Sequence, residues 1–240
     1  MTMRSALVPI LALLLPIACE SPESTREPVS GTTPETRAAA GGDSIGPGKA
    51  DTLWLFASSP ADDAVHATDT EATLRSRYGA DNVGSERIHL GEGQTVPGTV
   101  LFPGDSSRLL TVVWEDTVAR TRPTRVTVGS RQTRWAVVPG VSTGTSLSEL
   151  ESLNGRPFKL FGFAWDYAGT VSSWEGGRLD SLWRGGPENK VLVWLRLSPD
   201  SAGYASSHSR EVAGDRIFSS SLPAMRALNP RVYALFIEPR

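Results

Sequence analysis

The sequence predicts an α+β fold of two tandem helix-plus-antiparallel-sheet units, preceded by a signal peptide and a disordered tether. Three observations predict it. Helix start and stop signals occur twice, near residues 68–79 and 146–157. Each is followed by short apolar runs separated by Gly, Pro and Asp turns, the mark of antiparallel strands. The pattern also repeats. Leu74-Arg75-Ser76-Arg77-Tyr78-Gly79 aligns with Leu150-Glu151-Ser152-Leu153-Asn154-Gly155, an offset of about 76 residues. After a small shift, Thr111-Val112-Val113-Trp114 aligns with Val191-Leu192-Val193-Trp194. A helix laid on one face of a meander gives an α+β unit. One such unit is near the lower size limit for a stable core, so two would share an interface or a continuous sheet. A concave surface would remain between them.

The expected organisation is a signal peptide at 1–18, a lipidated cysteine and linker at 19–50, a first unit at 51–140 and a second at 141–240. Met1 to Arg4 is a short basic head, and Ala6 to Ile17 is an apolar run of signal-peptide length. It ends Leu15-Pro16-Ile17-Ala18-Cys19, which resembles a bacterial lipobox, with Pro16 where that pattern usually has Leu. Cys19 is the single cysteine, so it has no internal disulfide partner, and lipid attachment accounts for it. The competing reading is a secreted protein cleaved near Ala18. Glu20 to Ala50 is rich in Ser, Thr, Pro, Gly and Glu and has no aromatic residue. Such a segment buries too little apolar area to offset its ordering entropy, and reads as a tether. The chain carries 24 Lys+Arg against 26 Asp+Glu, a net charge of −2, and no basic surplus points to nucleic acid. Seven Trp can support a small core without disulfides.

Leu53 to Phe56 reads as a buried strand and Ser58 to Asp63 as a turn. Thr68 with Glu71 fits a capping box, with Leu74 and Tyr78 on one face and Gly79 as the stop. Strands are expected at 87–90, 99–102, 109–115, 125–128 and 134–138, with Pro103-Gly104-Asp105 as a turn. Ser146 and Glu149 make a second capping box, Leu147, Leu150 and Leu153 share a face, and Asn154-Gly155 with Pro157 ends the helix. Phe158, Leu160 and Phe163 follow in a strand-like run, then the aromatic turn Trp165-Asp166-Tyr167, then a strand after Gly169. Arg178 to Trp183 is a short helix or a strand end. Val191 to Leu197 is a strand, Ser198 to Asp215 a polar loop, Ser221 to Leu228 a helix and Val232 to Ile237 a closing strand.

The stretch Gly144, Thr145, Ser146, Glu149, Leu150, Leu153 and Gly155, with Pro157 two residues on, resembles a motif of bacterial envelope proteins. These are the small lipoproteins of outer-membrane assembly and the tandem-repeat β-lactamase inhibitor proteins. The first unit lacks the leading Gly and trailing Pro. The resemblance implies a helix-on-sheet fold that binds other proteins and catalyses nothing. Ser201-Ala202-Gly203-Tyr204 resembles a late loop of periplasmic lysozyme inhibitors and adds Tyr204 as a contact residue.

Catalytic chemistry finds few candidates. His66, His89 and His208 are the only histidines. His208 lies among Ser206, Ser207 and Ser209 with Asp215 nearby, without a nucleophile-elbow motif. Asp62-Asp63 with His66 is the nearest approach to a metal cluster, so no metal or other cofactor is expected. Gly176-Gly177 and Gly185-Gly186 lack the Lys-Ser/Thr of a phosphate loop. Asp166 and Glu175, beside Trp165 and Trp174, are the one carboxylate pair placed as in a glycan-cleaving or glycan-binding site. Against this, Asp166 reads as a turn cap and Glu175 as a hairpin tip. For Trp165, Tyr167 and Trp174, partner contact competes with core packing; Trp114 and Trp194, inside apolar strands, read as core. The function expected is therefore non-enzymatic. An envelope lipoprotein binds a protein partner through Trp165, Asp166, Tyr167, Trp174 and Tyr204, and meets the membrane through Cys19.

Overall fold

The computed structural model describes residues 54–55, 64–138, 140–184 and 191–240. The signal segment, Cys19, the tether, the expected turn at 58–63, residues 53 and 56 of the first strand, and the Asp62-Asp63 part of the His66 cluster lie outside the described residues. The architecture is α+β, with two antiparallel sheets and a two-residue parallel pairing of Trp54–Leu55 with Trp135–Ala136.

The elements in chain order are β1 (Trp54–Leu55), α1 (Glu71–Tyr78), β2 (Val83–Gly91), β3 (Gln94–Leu101), β4 (Leu110–Asp116), β5 (Thr121–Val128), β6 (Trp135–Ala136) and α2 (Leu147–Asn154). There follow β7 (Lys159–Phe161), β8 (Val171–Ser173), α3 (Ser181–Arg184), β9 (Val191–Ser198), α4 (Ser201–Ala205), α5 (Ser207–Glu211), β10 (Ile217–Ser219), α6 (Pro223–Leu228) and β11 (Arg231–Pro239). A 3-10 turn follows α1 and another precedes α3.

Six strands form the main sheet in the order β2-β3-β4-β5-β11-β9, every neighbouring pair antiparallel. The segment 51–140 supplies a four-strand meander, and 141–240 adds β11 and β9 to its free side. The second half also builds a small sheet in the order β10-β7-β8, tied to β9 by a bridge between Thr170 and Arg196. Pairing order thus differs between the halves, although each contains a capped helix ahead of its main-sheet strands.

Alternation decides what the sheet buries. In β9, Val191, Val193, Leu195 and Leu197 point to the core, while Leu192, Trp194, Arg196 and Ser198 point away. Leu110, Val112 and Trp114 of β4, Val126 and Val128 of β5, and Leu235 and Ile237 of β11 join the same inner face. Leu74 of α1, Leu147 and Leu150 of α2, and Met225 and Leu228 of α6 close over it. Fully burying each such side chain contributes about 1.5–3 kcal/mol relative to exposure.

The second capping box forms as expected: Glu149 N donates to Ser146 Oγ and Ser146 N donates to Glu149 Oε2. Gly155 ends the helix at φ +78. The first helix starts two residues later than expected. Its cap is Thr70, which exchanges hydrogen bonds with Thr73, and Glu71 is its first residue. Glu71 is drawn instead into a charged network with Arg75, Arg120 and Thr99. The expected loop at 198–215 contains α4 and α5. Neither helix buries a residue, so no apolar periodicity announces them; Asp200 caps α4 by accepting from Gly203 N at 2.7 Å. Among the described residues, no helix is long and apolar enough to cross a membrane.

Candidate functional site

The aromatic turn lies between β7 and β8, held from both sides. Phe163 N donates to Val212 O, Gly214 N donates to Phe163 O, and Leu197 N donates to Gly169 O at 2.9 Å. Gly169 is obligatory here: its φ is +66, and a Cβ would meet the Leu197 carbonyl oxygen at 1.8 Å. The turn is therefore locked against β9, and its side chains project from a fixed base.

Trp165 is half-buried. Its ring meets Phe161 and Tyr167 edge-on, with centroids 5.4 and 5.3 Å away, and its Nε1 donates to Gly162 O. Tyr167 is 42% exposed. Its hydroxyl donates to Glu92 Oε1 at 3.2 Å, from the tip of the β2–β3 hairpin. That bond raises the Tyr167 phenol above its ordinary range, because the neighbouring carboxylate disfavours phenolate. Since β2 and β9 lie at opposite ends of the strand order, this contact shows the first hairpin reaching across toward the last strand. Arg196 stacks 5.5 Å from the Tyr167 centroid and its Nη1 donates to Asp166 O at 3.0 Å. Asp166 is exposed, but among the described residues nothing hydrogen-bonds its carboxylate, so it does not cap the turn as expected.

Tyr204 is 45% exposed. It sits on α4 rather than in a loop, edge-on to Phe163, with its hydroxyl 3.3 Å from Ser198 Oγ. Trp174 corrects an expectation. It is fully buried, packed 5.1 Å from Phe158, and belongs to the core rather than to a binding surface. It directly follows β8, three positions after the buried Val171, so its burial comes from packing and not from the strand's alternation. Trp194 corrects another: it is 37% exposed on the outer face of β9, not core. The signal was in the sequence. In VLVWLRL, the Val and Leu at alternate positions claim one face and leave Trp194 and Arg196 together on the other.

The glycan alternative fares poorly on geometry. Asp166 precedes β8 and Glu175 follows it, so the two acids lie at opposite ends of that strand. Glu175 does not tip a hairpin; its turn leads through Gly176-Gly177 into the 3-10 segment before α3. Hydrogen bonding from Ser173, then the charge of Lys159, holds its carboxyl below the usual range, the wrong direction for a general acid. His208 Nδ1 lies 3.1 Å from Glu211 on exposed α5, and among the described residues no serine hydroxyl reaches its ring. No group of three metal-ligating side chains occurs among the described residues. A shallow cleft of about 610 Å³ lies between α2 and α6. Its charged walls are already committed: Glu151 takes Ser220 and Arg226, and Arg156 donates to Glu175 O.

Around the turn, therefore, stand Trp165, Tyr167 and Tyr204, joined by Trp194, which the sequence assigns to the core, and by Arg196, Phe236 and Glu92, which no sequence motif marks. No protein-family model, no curated protein and no solved structure matches this chain.

Proposed function

We propose that this protein is an exported, lipid-anchored, non-catalytic component of a bacterial envelope that binds a protein partner through the aromatic turn. The observation that carries the binding reading is the exposure of Tyr167, Tyr204 and Trp194 around a turn locked in place by Gly169. Tyr, Trp and Arg on a pre-organised base form the composition in which interface energy concentrates, because little conformational freedom is lost on docking. Anchoring at Cys19 is supported by the lipobox-like Leu15-Pro16-Ile17-Ala18-Cys19, and the likeness of Gly144 to Pro157 to envelope inhibitors and assembly lipoproteins supports a binding role. In this reading the tandem arrangement is two capped-helix halves sharing one sheet.

The test uses the full chain, immobilised and challenged with envelope extract, beside Trp165→Ala and Tyr167→Ala. A discrete envelope protein held by the wild type and lost from both variants, with melting curves showing both folded, is the expected result. Equal capture by all three chains counts against the reading, as would turnover in a glycan-hydrolysis screen that Asp166→Asn removes.

A further inference from the structure

The outer face of the main sheet, opposite the helices, carries a charge arrangement that folding alone does not explain. Val113 is the cross-strand partner of Arg125, and Phe236 is the partner of both Thr127 and Trp194. Ile88, Val100, Val113 and Ala234 are buried on this side, outside the main core cluster. Within this apolar setting lie two arginines. Arg125 and Arg196 flank the Phe236 ring, their guanidinium carbons 5.4 and 5.3 Å from its centroid.

Neither arginine has a carboxylate within ion-pair distance among the described residues. Arg125 Nε is buried and has no hydrogen-bond partner. Burial, and then the charge of Arg196, pushes Arg125 below its ordinary range, with Glu238 on the adjacent strand opposing this. An under-compensated, half-buried cation beside a like charge destabilises a fold. Ser172 Oγ and Trp174 Nε1 are also buried without a hydrogen-bond partner, but of these three only Arg125 carries a full charge, and a cation left so beside a second cation marks a place where an anionic group completes the set.

We infer that this pair receives a carboxylate: the outer sheet face docks an Asp or Glu side chain, presented on a loop of a protein partner, against the Arg125 and Arg196 guanidiniums beside the Phe236 ring. The planar guanidiniums match a carboxylate with paired, charge-assisted hydrogen bonds, and Tyr167, Trp194 and Phe236 pack around it. The surroundings select the class of partner. Glu92, Asp166 and Glu238 ring the site and the chain carries a net charge of −2, which opposes a nucleic acid or other polyanion but tolerates one carboxylate. The inference rests on the protein-binding reading above and names the chemistry of its partner.

The experiment selects a displayed random-heptapeptide library on the full chain, then measures a synthetic copy of a selected peptide. Asp or Glu is expected at one fixed position. Arg125→Gln and Arg196→Gln should each weaken the synthetic peptide at least about tenfold, and so should changing the peptide's acid to its amide. Glu238→Gln removes the competing charge and should tighten binding, a gain that misfolding cannot produce. Selected peptides without a fixed acid, equal affinity for both arginine variants, or displacement by inorganic phosphate as effective as by peptide would each overturn the inference. Its failure is separable from that of the wider reading. Envelope capture lost with Tyr167→Ala but unaffected by both arginine variants sinks only the carboxylate site. Acidic peptides selected without any envelope capture sinks only the envelope role.

Discussion

Replacing Glu71 by Gln tests the network that ties α1 to the sheet. The carboxylate accepts from Thr99 Oγ1 at 2.6 Å, from Arg75 Nη2 at 3.0 Å and from Arg120 Nη1. Thr99 is fully buried and in turn accepts from Trp114 Nε1 at 2.9 Å. Gln keeps the shape but loses the charge, and it cannot accept from all three donors at once. The Glu71 side chain is 16% and that of Arg120 22% exposed, so the loss falls below that of a sealed ion pair. A charged hydrogen bond lost there, plus a cation left short of its partner, comes to about 2–3 kcal/mol. For a folded part of this size that lowers the melting midpoint by about 4–12 °C.

The pH dependence has a definite sign. Burial works to raise the Glu71 carboxyl, but hydrogen bonds from Thr99, Arg75 and Arg120 outweigh it and hold the group below its ordinary 4.5. Stability from a lowered carboxyl is present in full above the unfolded value and is lost as pH falls through the folded one. The gap between wild type and Glu71→Gln should thus be complete at neutral pH and shrink below about pH 4.5. Thermal melts by circular dichroism across that range read it. Arg75→Ala, which breaks a partly exposed i,i+4 pair and a long hydrogen bond to Ala80 O, should cost about 0.5–1 kcal/mol, well below Glu71→Gln. A Glu71→Gln midpoint equal to wild type at pH 7, or a gap that widens on acidification, refutes the reasoning.

Two further substitutions probe the supports of the site. Asn154, 1% exposed, donates to Arg156 O and Trp174 O and accepts from Leu179 N; Asn154→Ala strands three backbone groups and should cost about 2–4 kcal/mol in denaturant unfolding. Gly169→Ala drives a methyl into the Leu197 carbonyl and should abolish hydrogen-exchange protection of the Leu197 amide. Gly214→Ala, also at positive φ but with nothing within 4 Å, should cost only about 1–2 kcal/mol.

Legibility tracked the range of the interactions involved. The second helix was readable throughout, because Ser146, Glu149, Leu147, Leu150 and Gly155 act within one or two turns of each other. The first was readable in place but not in its cap. Asp69, at 4% exposure, pairs with Arg77 eight positions on, and Glu71 pairs with Arg120 from the turn between β4 and β5, so partners outside the capping window claimed the local signals. The aromatic turn was placed correctly between its strands by Gly169 and the flanking apolar runs. The burial of Trp174 was not, since a lone Trp after a three-residue strand carries no periodicity. The arginine pair was out of reach for the same reason: Arg125 and Arg196 meet only because β11 lies between β5 and β9.

By itself the sequence determined the α+β class, the position of most strands though not of β10 or of the starts of β2 and β3, the second helix with its ends, and the alternation that separates the two faces of β9. These are consequences of backbone geometry and of neighbours a few residues away. Tertiary structure alone decided which strands from the two halves share a sheet, which face the helices cover, that Trp174 is sealed, and that Arg125 comes to lie near Arg196. Pairing across the sheet joins residues far apart in the chain, and the pattern that marks two faces is symmetric between them until packing chooses one.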